Sequence, residues 1–597
     1  MFQYPNIPIS QYQLLPYFCY PAKKPRHYTM SRSRRTQALL QFGLFAGILV
    51  FANILANAFY SHFDLTEEKR FTLTKPTKAL LRDIKDRVYV RVLLDGDFPA
   101  GFKRLQTATK EMLDDFRSES GYLDYQFENP SLGTVEEVNE RRKSLADDGI
   151  MPFNLRVADL GESSQQLIYP VAVFHYNGRQ MVVKLLENNS PTLSPDEVIN
   201  NSVTLLEYKF ANIIKKLRSA NRAVILFTRD HGELNELQTA DLERGLQQFY
   251  DTDRISLDSV VQLNPEACAL LVVAKPRTAF SEKDKFKIDQ YAMNGGRILW
   301  LLDQMNASLD SLSIGGKFIS TPYNLKLEDM FFKYGVRINS DVVLDLQCTK
   351  IPLQIGQVGN QPQYELFDWY YHIAAQPESK HPIVKNLDRV ELSFASSMDT
   401  LRTKTLIQKT VLLRSSKYSR MQFNPVDLNF EILKYDPDPA KFDKGPQNLA
   451  VLLEGTFPSA FENRVSEELL SGMKQLGLEF KTSSVPNRMI VVSDGDVAAN
   501  FVRDASKKQT LPLGFNRFEN INYANKDFII NAIEYLIEPN GVIEARSKEV
   551  KLRLLDTVRA KDEQNFWRGL NLAFPLLFLA AFGWLFNFLR KRRYAQN

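Results

Sequence analysis

Several side chains able to do chemistry follow an apolar stretch near the middle of the chain. Residues 223–228 are uncharged, which is typical of a strand buried on both faces, and Asp230, His231 and Glu233 come directly afterwards with Gly232 among them. Two carboxylates and an imidazole at a strand end can bind a polar ligand or transfer protons. The alternative is a turn, in which Gly232 supplies backbone freedom and Glu233 complements a helix N-terminus.

A second candidate follows a later apolar stretch. Residues 489–493 precede Asp494, Gly495 and Asp496, whose carboxylates could hold a cation or a ligand hydroxyl. Asp and Gly are also common turn residues, so a turn is again the alternative. We therefore predict ligand-binding residues, with no catalytic or metal-ligating role, at five positions: Asp230, His231, Glu233, Asp494 and Asp496.

The motifs of common enzyme classes are missing from the sequence. It contains no GxxxxGK[ST] phosphate loop, no GxSxG nucleophile elbow and no HExxH helix. Cys19, Cys268 and Cys348 are too few and too dispersed for a disulfide framework or a thiolate metal site. Cys268 lies in an apolar run that favours burial over nucleophilic use. We therefore expect a protein that is not an enzyme and needs no cofactor.

The elements that would position these residues predict an α/β fold. After residue 221, predicted strands and helices alternate, which indicates a mostly parallel, doubly wound sheet with helices on both faces. The strands are predicted at 223–228, 270–274, 297–302 and 341–344, and the helices at 237–250, 281–293 and 325–334. Strands at 449–453 and 489–493 are expected to return to this sheet after a more irregular insertion at 353–446.

A smaller α+β domain is predicted before residue 221. Its strands are expected at 88–94, 122–127, 171–175 and 181–185, with helices at 101–118 and 196–217. Asn177-Gly178 separates the last two strands and is typical of a tight hairpin turn.

The charge distribution argues against a nucleic-acid-binding protein. The chain of 597 residues has a formal net charge of +5, but residues 1–37 hold six cations and no carboxylate, and residues 590–597 hold four more cations. Removing these ten from the 75 cations leaves 65 against 70 anions. The region between the tails is therefore slightly acidic and lacks the basic surface that phosphate binding requires.

Each basic tail adjoins an uncharged apolar segment of membrane length, at 38–60 and at 569–589, which predicts transmembrane helices at 38–60 and 566–589. Because cationic flanks stay on the cytoplasmic side, we expect both termini in the cytoplasm and the main domain in the periplasm, with the protein in the inner membrane. A cleavable signal ending near Ala56-Asn57-Ala58 is the alternative for the first segment.

These predictions divide the chain as follows: basic tail 1–37, helix 38–60, α+β domain 61–220, α/β domain 221–544 with its insertion, linker 545–565, helix 566–589 and basic tail 590–597.

The order of several short segments resembles the GldG-like auxiliary components of ABC transporters associated with bacterial gliding motility. The segments are Phe63-Asp64-Leu65-Thr66, Lys69-Arg70-Phe71-Thr72-Leu73, Asp95-Gly96-Asp97-Phe98-Pro99, Asn201-Ser202, Leu206-Glu207-Tyr208, Asp230-His231-Gly232-Glu233-Leu234, Ser493-Asp494-Gly495-Asp496, Pro512-Leu513-Gly514-Phe515 and Arg546-Ser547-Lys548-Glu549-Val550. The family usually has Gly where this chain has Asp230.

The resemblance implies an auxiliary or substrate-binding subunit that is anchored in the membrane and works with a separate permease and a separate ATPase. It also implies an α/β domain shared with intraflagellar transport proteins and distantly like class I glutamine amidotransferases. The Cys-His elbow of an amidotransferase is absent from this sequence.

Three functions remain open at this point. The first is a non-enzymatic transporter subunit, with its oligomeric state within the complex undecided. The second is a tethered periplasmic receptor that binds a sugar or a peptide. The third is a membrane-anchored hydrolase that uses His231 with Glu233 or Asp494.

Overall fold

The computed structural model describes residues 34–58, 72–159, 162–187, 194–219, 222–377, 379–538, 541–547 and 561–594. Most of the N-terminal basic tail, the motif at 63–66 and residues 548–560 of the predicted linker lie outside these ranges. The chain divides into two units, Met1–Leu65 and Thr66–Asn597.

The first unit contains one described helix, α1 (Arg34–Ala58). Its apolar part, Leu39–Ile54, is short for a membrane span. In the second unit the C-terminal helix contains an apolar segment, Gln564–Arg592, of 29 residues and mean hydropathy 2.0. Within the described residues this segment alone is long and apolar enough to cross a membrane. The second of the two predicted spans is thus present as a candidate, and the two-span arrangement stays a prediction.

The N-terminal part of the second unit is a four-stranded sheet packed against helices. Its elements are α2 (Lys75–Arg82), β1 (Val88–Val92), α3 (Ala100–Glu119), β2 (Leu123–Phe127), α4 (Val135–Asp147), β3 (Phe153–Asp159), β4 (Glu162–Ile168), β5 (Val171–Tyr176), β6 (Arg179–Lys184), α5 (Pro195–Thr204) and α6 (Leu206–Arg218). The strand order is β2-β1-β5-β6, and β3 pairs with β4 in a separate hairpin. Asn177 and Gly178 both have positive φ, at 50° and 75°, so the predicted tight turn between β5 and β6 is confirmed.

The helix predicted at 196–217 is instead two helices that meet at Leu205. The Ser202 hydroxyl donates to the carbonyl of Val198 at 2.7 Å, and the Thr204 hydroxyl donates to that of Asn200 at 2.8 Å. Hydroxyls that bond back to the preceding turn bend helices. The hydrophobic pattern continues through the break and therefore did not reveal it.

The remaining elements build the larger part of the unit. They are β7 (Val224–Arg229), α7 (Ala240–Leu246), β8 (Asp251–Ser256), β9 (Leu270–Ala274), α8 (Glu282–Met293), β10 (Arg297–Leu301), α9 (Leu309–Gly315), β11 (Lys317–Ser320), α10 (Glu328–Tyr334), β12 (Val336–Ile338), β13 (Asp341–Asp345), β14 (Cys348–Val358), β15 (Gln361–Ala375), β16 (Val390–Ser393), β17 (Met398–Thr400), β18 (Ile407–Arg414), β19 (Ser419–Phe423), β20 (Val426–Asn429), β21 (Asn448–Gly455), α11 (Glu467–Gln475), β22 (Asn487–Val492), β23 (Val502–Asp504), β24 (Gln509–Thr510), β25 (Phe515–Asn516), β26 (Ile521–Asn522), α12 (Asn525–Ile537) and α13 (Gln564–Tyr594).

A nine-stranded sheet organises this part. Five strands run parallel in the order β8-β7-β9-β10-β22, and β21 pairs antiparallel with β22 and continues the sheet towards β18, β17 and β12. The two strands expected to return late in the chain therefore do so, and one of them is antiparallel.

Both faces of the sheet are buried, because alternate residues of each strand enter different cores. Phe227, Val272 and Leu301 pack with α7 and α12 on one face. Val273 and Trp300 pack with α8 and α10 on the other. The predicted α/β class is therefore confirmed: the sheet contains parallel and antiparallel strands, and helices cover both of its faces.

One predicted strand and the insertion are corrected. Residues 341–344 were expected in the main sheet, but β13 pairs antiparallel with β19 in a separate two-stranded sheet. The insertion is not irregular, since it contains the long hairpin β14–β15 and several further strands. An apolar run predicts a buried strand but not its partner, which is chosen by packing.

Candidate functional site

Four parallel strands end beside one another and bring charged side chains to one edge of the sheet. Strand β7 pairs with β9, β9 with β10, and β10 with β22. His231 follows β7, Lys275 follows β9, Asp303 follows β10 and Asp494 follows β22. The carboxyl ends of such strands are where α/β proteins bind ligands. The predicted residues fall into two clusters here, around His231 and around Lys275.

The histidine cluster consists of His231, Glu233, Asp284 and Phe280. The buried imidazole stacks on the Phe280 ring, with centroids 3.9 Å apart. Its Nδ1 lies 3.5 Å from Oε1 of Glu233, and its Nε2 lies 3.4 Å from Oδ2 of Asp284. The backbone N–H of His231 also donates to Oε2 of Glu233 at 2.6 Å. Two carboxylates therefore flank one imidazole.

The charges of this cluster support one another. Burial lowers the pKa of His231, but the hydrogen bond and charge of Glu233 and the charge of Asp284 outweigh it, so the pKa is raised above its ordinary value. Burial raises the pKa of Glu233, but its interaction with His231 and hydrogen bonds from nearby groups lower the pKa overall. The arrangement favours an imidazolium held between carboxylates.

Asp230 and Gly232 belong to the turn that carries His231. Asp230 has a φ of 93° and is exposed, and its side chain makes no hydrogen bond or ion pair with the described residues. Gly232 has a φ of 76°, and a Cβ there would lie 3.2 Å from Cβ of Arg277. Both features fit the turn alternative for these two positions.

The lysine cluster consists of Lys275, Asp303, Asp494 and Asp496. The Nζ atom of the buried Lys275 lies 3.0 Å from Oδ2 of Asp303, and it also pairs with Asp496. Burial lowers the pKa of Lys275, but the charges of Asp496 and Asp303 outweigh it and raise the pKa. The ammonium therefore stays charged inside the protein.

Backbone donors hold the carboxylates of the lysine cluster. Asp494 accepts from the amides of Ser393 at 2.9 Å and Asp496 at 2.8 Å, and Asp303 accepts from the amide of Gly495 at 2.6 Å. Burial, followed by the charges of Asp496 and Asp303, raises the pKa of Asp494 well above its ordinary value. Asp494 thus tends to keep a proton.

The three carboxyl groups have a geometry that could hold a cation. One oxygen from each of Asp303, Asp494 and Asp496 lies within 4.8 Å of the others. The ammonium of Lys275 is already paired with two of the three, so the protein itself supplies the balancing charge.

Sequence reasoning missed Lys275, Asp284 and Asp303. Lys275 and Asp303 each follow a predicted strand, so inspection of every strand end would have found them. Asp284 lies in the first turn of α8, where its amide donates to the Ser281 hydroxyl at 3.2 Å, and nothing in the sequence connects it to His231.

A large cavity lies elsewhere. It has a volume of about 880 Å³ and is bounded by α10, β12, β17 and β19. None of the five predicted site residues lines it, whereas Gln304, Asn324, Glu328, Ile338 and Phe423 do. We call it the edge cavity, because β12 is an end strand of the main sheet.

The fold and these sites define an α/β protein with two clusters of internally paired charges and a C-terminal apolar helix. The chain belongs to the auxiliary family described as "ABC-type uncharacterized transport system", whose sequence model matches residues 222–532, over half of the chain. A domain of unknown function, DUF7088, matches residues 67–175. The chain is accordingly associated with ABC transport, and its family points to permease and ATPase partners in general.

An uncharacterized protein from Borreliella burgdorferi (strain ATCC 35210 / DSM 4680 / CIP 102532 / B31) is 22% identical over 450 residues, covering 74% of this chain and 82% of that protein.

Two solved structures show only distant similarity. The mmIFT52 N-terminal domain is 11% identical with a TM-score of 0.28, covering 53% of this chain and 98% of that domain. The exo-beta-1,4-mannosidase Op5Man5 from Opitutaceae bacterium strain TAV5 is 9% identical with a TM-score of 0.18, covering 71% and 51%. At these TM-scores neither similarity carries an argument about function.

Proposed function

We propose that this protein is a non-enzymatic, membrane-anchored auxiliary subunit of an ABC transport system, working with a separate permease and a separate cytoplasmic ATPase. The observation that carries the proposal is the family match across residues 222–532, a region that contains both charged clusters and the whole main sheet. The C-terminal apolar helix provides a physical means of attachment to the membrane.

The charged clusters support a structural role for the strand-end edge. The charges of Lys275 and His231 are each matched by carboxylates of the same cluster, and both side chains are buried. The thiol of Cys268 is also buried, and burial raises its pKa, which disfavours the reactive thiolate. A hydrolase that uses His231 would need it exposed to a substrate.

The topology we propose has spans at 38–60 and 566–589, with both basic tails in the cytoplasm and the main domain in the periplasm. Cations at 590–593 directly follow the uncharged residues 569–589 of α13, as the positive-inside rule requires for a cytoplasmic C-terminus. A reporter that is active only in the cytoplasm should be active when it is fused after Asn597. Activity of a reporter that works only after export, fused at the same position, would contradict this topology.

The mechanism that we propose is mechanical. Closure of the ATPase moves permease helices that pack against the spans at 38–60 and 566–589, and the periplasmic domain transmits or senses this motion. Gliding motility is the process we propose for the system, on the strength of the segment resemblance described above. Deletion of the gene should then abolish gliding while leaving growth intact.

The direct test is purification of the full chain from native membranes. We expect the permease and the ATPase to co-purify, and to be lost when the helix 566–589 is replaced by an unrelated transmembrane helix of equal length. The variant with the replaced helix is still attached to the membrane, so it separates loss of the partners from loss of membrane attachment. Recovery of the chain without either partner would contradict the proposal.

The edge cavity favours a second candidate function, that of a tethered receptor for a sugar or a peptide. Its volume of about 880 Å³ lies within the usual range for small-ligand sites, roughly 300–1,000 Å³. A receptor of this kind would recognise its ligand at the edge cavity rather than beside His231.

A further inference from the structure

An unpaired strand edge lines the edge cavity. Strand β12 pairs with β17 on one side and, among the described residues, has no strand on the other. The amide of Asn339 donates to the carbonyl of Ser397 at 2.9 Å, and that of Leu401 donates to the carbonyl of Gly335 at 2.9 Å. Residues 335 and 339 therefore face β17.

Ile338 must point its backbone groups the other way. It lies opposite Met398, between hydrogen-bonded positions, and in antiparallel sheets such residues direct both N–H and C=O away from the partner strand. Residues 337–341 all line the cavity. An unused donor and acceptor of the main chain thus face a space large enough for another chain.

The cavity also offers side chains without partners. Gln304, Asn324 and Ser340 make no side-chain hydrogen bond with the described residues. Phe332 and Phe423 are 64% and 66% exposed, so two apolar rings of the cavity lining are accessible to a ligand. Amides, a hydroxyl and exposed rings around a free strand edge suit main-chain pairing together with apolar side-chain pockets.

The charge of the cavity selects among peptides. Arg337 pairs with Asp399 at 2.5 Å, whereas Glu328 forms no ion pair within the described part of the chain. Asp341 is buried and bonded to Ser397, and burial raises its pKa. Glu328 is therefore the charged group left for a ligand, and its complement is a Lys or Arg side chain.

We propose that the edge cavity binds an extended peptide segment of a partner protein, which adds as a strand to β12 at Ile338 and places a basic side chain near Glu328. This inference rests on the receptor function proposed above and is independent of binding to the permease and ATPase. The expected ligand of the edge cavity is an extended peptide whose side chains are alternately apolar and that carries one Lys or Arg.

The test uses the full chain in detergent micelles and a displayed library of random heptapeptides. We expect enrichment of peptides with alternating apolar residues and a Lys or Arg. Synthetic copies of the enriched peptides should bind about tenfold more weakly after backbone N-methylation, which removes one ladder hydrogen bond and adds a clash.

Substitutions at the strand edge provide the matched variants. Ile338→Pro removes an N–H that the sheet does not use, so it should weaken peptide binding by about tenfold while the fold persists. Ile338→Val keeps the N–H and should bind normally. Glu328→Gln should weaken binding of the Lys- or Arg-containing peptides, but not of their Gln analogues.

Several outcomes would overturn the inference: no enrichment from the library, equal binding by Ile338→Pro, or equal binding of N-methylated peptides. Maltohexaose serves as a second probe, and its binding at this cavity in place of peptides would also overturn it. If Ile338→Pro fails to fold, N-methylation of the peptide still decides the question. Co-purification with the permease and ATPase is measured separately and should be unchanged in Ile338→Pro.

Discussion

The charged edge of the parallel strands and the edge cavity beside β12 are both places where the main sheet ends, yet they are built in opposite ways. At the charged edge, Lys275 and His231 are buried and meet carboxylates of the same chain. At the edge cavity, Gln304 and Asn324 line open space and have no side-chain partner among the described residues. The polar groups of the first region meet partners within the chain, whereas those of the second are accessible to the ligand that we propose.

This difference shows that a cluster of charged side chains at a strand end can be paired within the protein itself. A cluster of charges at a strand end satisfies the usual criterion for a ligand site. Here the charges pair with one another inside the protein, because a buried charge is tolerated only when it is paired. The region with fewer ionisable groups has accessible amide side chains without partners among the described residues. The comparison leads to four predictions about stability.

The largest effect is expected for Lys275→Met. The variant leaves the buried carboxylate of Asp303 and the half-buried carboxylate of Asp496 without their cation, so the free energy of unfolding should fall by about 3–5 kcal/mol. Chemical denaturation measures this loss. Lys317→Met is the control, because its pair with Asp427 at 3.0 Å is exposed, and it should cost less than about 1 kcal/mol. A similar small loss for both variants would mean that the lysine cluster does not stabilise the fold.

Glu391→Gln tests a carboxyl group on β16, the strand whose Ser393 amide donates to Asp494. Burial raises the pKa of Glu391 to about 7. The folded protein therefore binds this proton more tightly than the unfolded chain, and wild-type stability falls as the pH rises through this range. Glu391→Gln should be more stable than the wild type above about pH 7, by on the order of 2–3 kcal/mol, and the difference should vanish in acid.

Unfolding measured across pH for Glu391→Gln and for the exposed control Glu236→Gln provides the check. A gain confined to Glu391→Gln and to neutral or alkaline pH is expected. A loss of stability at neutral or alkaline pH would contradict this prediction, because it would mean that the ionised carboxylate of Glu391 stabilises the fold.

His231→Gln tests the histidine cluster. Because Glu233 and Asp284 raise the pKa of His231 above its ordinary value, the stabilisation is fully present below the unfolded pKa. It disappears as the pH rises through the folded pKa. We expect the substitution to cost about 1–2 kcal/mol below about pH 6.5 and progressively less at higher pH. A cost that grows with pH, measured by denaturation, would contradict an imidazolium between the two carboxylates.

The smallest effect is expected at the edge cavity. Asn324→Ala and Gln304→Ala remove side chains without partners in the described structure, so the free energy of unfolding should change by no more than about 0.5 kcal/mol. The same denaturation experiment measures it. A loss above about 2 kcal/mol would place these amides in the stabilising framework and remove the contrast between the two regions.

Much of the fold followed from local pattern. The strands at 223–228, 270–274 and 297–302 and the helix at 281–293 were predictable, because apolar runs and periodic faces reflect burial directly. The pairing of β13 with β19 and the break at Leu205 were not, since neither leaves a distinctive spacing in the sequence. The candidate site was predicted only in part, as the partners of His231 and Asp496 come from other loops and from a helix.

By itself the sequence determined the α/β class, the terminal placement of basic charge and the apolar C-terminal segment, because these depend on composition and periodicity along the chain. Only the tertiary structure decided that Asp284 lies against His231 and that Lys275 pairs with Asp303 and Asp496. It also decided that the edge of β12 is left unpaired beside a cavity. Such contacts join residues far apart in the chain, and their energies depend on burial and distance in space.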